Sequence, residues 1–253
     1  MKHRRWWMGP ILLGVVSLAC AGSQDPGRDA DRDPGRDADR DPGRAEKAVE
    51  RQREPLSRAL AHKGLSLGAP IFIRIFKQES ELELWVEKGG RFELFRTYPI
   101  CTWSGELGPK LRQGDGQAPE GFYFVTPGRM NPRSRYHLSF NLGYPNAYDR
   151  AHGRTGDFLM VHGDCVSIGC YAMTDPVIEE IWTLAMAAFD GGQPYFRVHA
   201  FPFRLGGEAL ARQREHRWYP FWQNLKTGYD WFEREGTPPD VTVEERTYRF
   251  GAP

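Results

Sequence analysis

The stretch Val161–Asp175, V-H-G-D-C-V-S-I-G-C-Y-A-M-T-D, constrains the fold more than any other part of the chain. An apolar run, Phe158-Leu159-Met160-Val161, leads into it and reads as a buried strand. Asp175-Pro176 closes it with a helix-start signal. The backbone must therefore pass from strand to helix through a glycine-interrupted loop carrying His162, Ser167 and Cys170. Gly169 lets main chain crowd the Cys170 sulfur without a Cβ in the way. A histidine at a strand end near such a cysteine is the raw material of a nucleophilic pair, because an imidazole stabilises the reactive thiolate. The same residues also fit a plainer reading: loop cysteines, disulfide-bonded or not, beside a structural histidine. Spacing alone does not choose, since Cys-plus-His signatures do not transfer between families.

The surrounding periodicities give a strand-rich α+β domain. Asp175 is a candidate N-cap, Glu179 and Glu180 suit the positive end of the dipole, and Gly191 can end the helix. Val177, Ile178, Ile181, Trp182, Leu184, Ala185 and Phe189 form its apolar face. Upstream, residues 45–68 form a helical lead-in that Pro55 should interrupt. Residues 69–205 hold the strands: Ile71–Lys77, Leu82–Val86 and Phe92–Tyr98 flanking Gly89-Gly90 as a hairpin, Phe122–Val125, Phe158–His162 and Tyr195–Phe203. Long glycine- and proline-rich loops, 105–121 and 128–156, are of the kind that is functional when ordered. Residues 206–253 are an aromatic-rich extension with Trp218, Tyr219, Phe221, Trp222, Tyr229, Trp231 and Phe232, read as core packing rather than ligand stacking.

The N-terminus reads as an address. Lys2, Arg4 and Arg5 precede an apolar run from Met8 to Ala19, the pattern of a signal peptide over residues 1–20. Leu18-Ala19-Cys20 resembles a lipobox that would lipidate Cys20, although Ser17 stands where a leucine is usual; Ala19-Cys20-Ala21 is the competing cleavage site. Residues 21–44 carry a D-P-G-R-D-A-D-R repeat with nothing to bury, so a disordered linker is expected. A net charge of +1 argues against nucleic-acid binding. Cys101, Cys165 and Cys170 form an odd set: either Cys101 bonds Cys165, or all three stay reduced. His152, His162, Cys165 and Cys170 lack paired ligand spacing, so neither a metal nor another cofactor is expected.

Longer segments carry a family resemblance. A-P-I-F-I-R-I-F-K (69–77), T-Y-P-I-C (97–101), S-G-E-L-G-P-K-L (104–111), G-D-G-Q-A-P-E-G-F-Y (114–123), N-P-R-S-R-Y-H-L-S-F-N-L-G-Y-P-N-A-Y-D-R-A-H-G-R-T-G (131–156) and G-C-Y-A-M-T-D (169–175) resemble the YafK-like branch of the L,D-transpeptidase catalytic domain family. The resemblance covers about residues 45–250. It implies a β barrel or sandwich with flanking helices, and acyl transfer on peptidoglycan stem peptides. Cys170 would be the nucleophile, His162 its base, and the Gly163 carbonyl the group orienting the imidazole. Main-chain N–H groups around Gly169, Cys170 and Tyr171 would line an oxyanion hole, with Ser167 beside them.

Two positions depart from the wider family pattern. Ile168 replaces a histidine, and Ala172 replaces an arginine that helps hold the donor peptide. Arg150 and Arg154 are candidates to take over that contact with a substrate carboxylate. The branch implies hydrolysis of the amide joining an envelope lipoprotein's lysine to meso-diaminopimelate. Alternatives are an L,D-transpeptidase that forms crosslinks or attaches a protein, and a non-catalytic peptidoglycan-binding lipoprotein. The expected location is the periplasm of a Gram-negative cell, with a lipid tether to the outer membrane.

Overall fold

The computed structural model describes residues 43–252. The expectations for the signal segment, Cys20 and most of the repeat lie outside these residues. Two five-stranded sheets organise the fold, and neither closes into a barrel.

The first sheet runs β3-β2-β1-β10-β5. Its strands are β1 (Ile71–Phe76), β2 (Glu81–Lys88), β3 (Arg91–Pro99), β5 (Gly121–Val125) and β10 (Phe196–Phe201). β2 and β3 form the hairpin expected around Gly89-Gly90, both with positive φ, the geometry a tight primed turn needs. All of β1 is buried, because both of its faces are covered. Ile71, Ile73 and Ile75 enter one core, and Phe76 enters the other. Burying each such side chain stabilises the fold by about 1.5–3 kcal/mol.

The first core lies between this sheet, the helices α1 (Arg44–His62) and α3 (Asp175–Asp190), and the second sheet. α1 does not break at Pro55. The ring costs a helical hydrogen bond, but it faces solvent while Leu56 and Leu60 anchor the buried side. In α3 the N-cap is Thr174 rather than Asp175, which stands in the first turn with Pro176 after it. That shift frees the Asp175 carboxylate for another task.

The second core covers the opposite face. Helices α4 (Gly207–Ala211) and α5 (Tyr219–Glu235) and the hairpin of β11 (Asp240–Glu244) and β12 (Thr247–Gly251) pack there. Phe221, Trp222, Leu225 and Tyr248 are buried among Phe76, Phe122, Phe201 and Phe203. The aromatic extension is thus core packing for much of its length.

The second sheet, β4-β9-β8-β7-β6, is built from short strands: β4 (Thr102–Trp103), β6 (Met130–Asn131), β7 (Ser139–Asn141), β8 (Met160–His162) and β9 (Tyr171–Ala172). β8 and β9 run parallel, pairing Val161 with Tyr171 and His162 with Ala172. The short helix α2 (Ala147–Ala151) starts with a capping box between Asn146 and Asp149.

Candidate active site

The parallel pair β8/β9 brings the two reactive residues together. His162 ends β8, and Cys170 stands one residue before β9. Alternate residues of a strand share a face, so Cys170 falls on the side of Ala172, the partner of His162. Val161 and Tyr171 point the other way, into the first core. The Tyr171 side chain is an anchor, donating its hydroxyl to the Pro119 carbonyl at 2.6 Å. Ala172 is fully buried.

His162 is fixed on several sides. Its Nδ1 lies 2.6 Å from the Gly163 carbonyl oxygen. A carbonyl only accepts, so Nδ1 carries the proton and Nε2 presents a lone pair. Burial pushes the imidazole below its ordinary value, against the opposing pulls of that carbonyl and the Asp164 charge. The neutral form is favoured, which suits a proton acceptor. The peptide before that carbonyl is held too: the Gly163 N–H donates to the Tyr136 carbonyl at 3.0 Å and the Leu138 carbonyl at 3.2 Å. The His162 carbonyl accepts from the Met173 N–H at 2.7 Å. The Tyr136 ring lies over the imidazole at a tilt, with centroids 4.6 Å apart.

Gly163 leaves little room for a side chain. A Cβ there would lie 2.5 Å from Asp175 Oδ1 and 3.0 Å from His137 Cβ. The same Oδ1 accepts the Asp164 N–H at 2.8 Å, tying the reactive loop to the start of α3. Asp164 and Cys165 both adopt positive φ, a conformation that costs non-glycine residues energy and persists only where surroundings enforce it. Part of that enforcement is a disulfide: Cys165 is bonded to Cys101, with Cα atoms 5.4 Å apart. Of the two cysteine arrangements the sequence leaves open, the structure has the one in which Cys101 bonds Cys165, and Cys170 keeps its thiol.

Cys170 is partly exposed, and its Sγ lies 3.7 Å from the Phe158 carbonyl oxygen. Ser167 knots the loop beneath it. Its hydroxyl donates to the Cys170 carbonyl at 2.8 Å, accepts the Gly169 N–H at 3.2 Å, and meets Ser104 Oγ at 3.2 Å. The Gly169 N–H, expected among the oxyanion donors, is therefore engaged by Ser167 here. Gly169 adopts φ +141°, which favours glycine. Phe158, Val166 and Ile168 expose apolar side chains around this loop.

The arginine expectation needs correction at Arg154. It is buried, bonds Asp149 Oδ1 at 2.7 Å, and lies over the Tyr148 and Phe221 rings. A guanidinium enclosed this way supports α2 and is not presented to a substrate carboxylate. Arg150 is exposed and donates to the Pro145 carbonyl within its own turn. The four zinc-ligand candidates are otherwise occupied in part: His152 bonds the Arg246 carbonyl and Cys165 is in the disulfide.

Sequence reasoning missed Tyr136, Ser104 and the second role of Asp175. Tyr136 sits in a bend of the long 128–156 loop, where no periodicity marks it.

This fold and this Cys–His loop have known counterparts. The chain belongs to the L,D-transpeptidase catalytic domain (YkuD) family, whose model matches residues 70–199. It is 47% identical over 192 residues to a protein named "Putative L,D-transpeptidase YafK" from Escherichia coli K12, and equally to that of strain O157:H7; the alignment spans 76% of this chain and 78% of each relative. Among solved structures, it matches the helical cell shape determining protein Pgp2 of Campylobacter jejuni at 18% identity and TM-score 0.44, covering 69% of this chain and 71% of that one. It also matches Bd1075 of Bdellovibrio bacteriovorus at 19% identity and TM-score 0.34, covering 53% and 48%.

Proposed function

We propose that this chain is a cysteine acyl-transfer enzyme that hydrolyses the amide between a protein's lysine side chain and meso-diaminopimelate in peptidoglycan. The observation that carries the chemistry is the His162 Nδ1–Gly163 carbonyl bond, which leaves Nε2 as an acceptor on the face that holds Cys170. His162 takes the Cys170 proton, and Sγ attacks the diaminopimelate carbonyl carbon. Main-chain N–H groups around Cys170 and Tyr171 stabilise the oxyanion; one such donor is worth about 3–4 kcal/mol in well-studied acyl-transfer enzymes. The C–N bond then breaks, the imidazolium gives its proton to the departing lysine nitrogen, and a thioester remains on Cys170. Water, deprotonated by His162, releases the free carboxylate and restores the thiol. Ala172 supports the hydrolytic ending, because no cation at that position pins a donor for slow transfer to an amine. Holding an acceptor amine in place is what gives transfer its entropic advantage over water.

The second reading, crosslinking or protein attachment, is favoured by the L,D-transpeptidase name of the 47% identical relative. It uses the same attack by Sγ and the same thioester, but a different amine leaves the diaminopimelate carbonyl. The setting proposed for either is the periplasm, with Cys20 as a lipid anchor. Incubating sacculi that bear a lysine-linked peptide with the purified full chain separates the two readings. Release of that peptide without new diaminopimelate–diaminopimelate dimers is expected. Abundant dimers without release would overturn the hydrolase in favour of the transpeptidase.

A further inference from the structure

Residues 134–138 are held against the site more firmly than a surface loop requires. Arg44, at the start of α1, donates to the carbonyl oxygens of Ser134 at 3.3 Å and His137 at 2.8 Å. His137 Nε2 lies 2.8 Å from Glu179 Oε1 on α3, and Arg51 of α1 bonds the same carboxylate oxygen at 2.6 Å. His137 takes φ +64°, a conformation uncommon for a non-glycine residue. These contacts fix the segment whose one flat apolar ring, Tyr136, covers the imidazole of His162 at 4.6 Å with the planes tilted by 31°. The same residue's carbonyl, with that of Leu138, holds the Gly163 N–H. Tyr136 thus touches the site twice: its ring covers the imidazole, and its carbonyl holds the N–H of the peptide that joins His162 to the glycine whose carbonyl orients it.

We infer that Tyr136 is a positioning residue for His162, its ring shielding one face of the imidazole from water and holding it in the plane where Nδ1 meets Gly163 and Nε2 meets Cys170. The inference rests on His162 acting as the base. It adds to that reading a residue that acts through the base. The clamp of Arg44, Arg51 and Glu179 makes the ring's position depend on α1, the helix that continues from the N-terminal segment.

The titratable groups set against His162 are Asp164 on its own loop and the Tyr136 phenol, with Cys170 just before β9 on the strand face of Ala172, and Asp175 of α3 and His137 beyond Gly163. Losing the ring admits water to one face of the imidazole and favours its charged form.

The test compares Tyr136→Phe, Tyr136→Ala and the unaltered full chain in two measurements. One is the NMR titration of the His162 ring; the other is kcat and KM for release of lysine-linked peptide. Tyr136→Ala should raise the His162 titration midpoint toward its ordinary value. It should also lower kcat by about tenfold or more, with KM changed less than about twofold. Tyr136→Phe should match the unaltered chain in both. Tyr136→Leu, with similar apolar volume but no flat ring, replaces the alanine variant if that fails to fold; it should show the same loss in kcat, with a smaller titration shift because leucine still excludes water. An unshifted His162 titration in Tyr136→Ala would overturn the inference. So would a loss confined to KM, or damage in Tyr136→Phe equal to that in Tyr136→Ala. The titration needs no turnover, so it judges Tyr136 even if the full chain cleaves no lysine–diaminopimelate amide.

Discussion

Replacing Gly163 by alanine perturbs the site by a single methyl group. The new Cβ would lie 2.5 Å from Asp175 Oδ1, 3.0 Å from His137 Cβ and 3.2 Å from Ile178 Cγ2. His137 Cβ and Ile178 cannot easily retreat, while the exposed Asp175 carboxylate can turn away only by giving up a hydrogen bond. Asp175 Oδ1 holds the Asp164 N–H, His137 is bonded to Glu179, and Ile178 is buried in α3. Overpacking of this kind costs about 1–3 kcal/mol. If Asp175 turns away, losing its hydrogen bond adds roughly 0.5–1.5 kcal/mol. The expected loss of stability is therefore about 2–4 kcal/mol. In a domain of this size that lowers Tm by roughly 5–15 °C. The activity loss should be larger than stability explains. The displaced peptide carries the carbonyl that orients His162, and a misplacement of about 1 Å costs on the order of 10²-fold in rate. Urea titration and single-turnover cleavage, assayed where the variant is fully folded, measure the two effects separately. Gly128→Ala is the control, since nothing lies within 4 Å of a Cβ there. Full stability and full activity in Gly163→Ala would refute the account of how His162 is held.

His199 should make the fold acid-sensitive. It is buried between the Phe72 and Phe122 rings, each with its centroid 4.6 Å away, and neither nitrogen has a hydrogen-bond partner among the described residues. Burial holds it well below its ordinary value of 6.5, so the unfolded chain binds the proton first. Stability is complete above the unfolded value and falls as pH drops below it, by up to about 1.4 kcal/mol per pH unit; urea midpoints at pH 7.5 and 5.5 should show a slope that His199→Leu reduces, and an unchanged slope would count against it. Arg154→Ala should destabilise by about 3–5 kcal/mol, because it strands Asp149 as a buried charge. Its KM at low temperature should stay that of the unaltered chain, and a selective rise in KM would restore a substrate role. Cys165→Ala should keep most activity while losing about 2–4 kcal/mol of stability with the disulfide, which calorimetry and turnover measure together; a dead but fully stable variant would contradict this.

Much of this was legible in the sequence because it is local. The β2/β3 hairpin follows from Gly89-Gly90 between alternating apolar runs, and α3 follows from its apolar stripe and its Pro176 start. The proximity of His162 and Cys170 was suggested by a strand end and a glycine, but their shared face depends on the parallel pairing of β8 and β9. No local pattern announces a two-residue strand such as β9. Pro55 misled because its cost is local, whereas Leu56 and Leu60 hold α1 by tertiary packing. Arg154 misled because an arginine in a polar loop reads as available, and its enclosure by Asp149, Tyr148 and Phe221 involves the distant α5. Tyr136 left no signal at all: a single aromatic in an aperiodic loop acquires its place only when 134–138 is clamped by Arg44 and Arg51 from α1.

The central claim is that Cys170 carries the acyl group, activated by a His162 that Gly163 orients. Acid-quenching the full chain during turnover of lysine-linked peptidoglycan fragments, followed by mass spectrometry of its proteolytic peptides, tests this most directly. The account predicts a stem-peptide adduct on the peptide containing Cys170, reduced sharply by His162→Ala and absent in a folded but inactive Cys170→Ala. Turnover that persists in Cys170→Ala, or an adduct on any other residue, would contradict it.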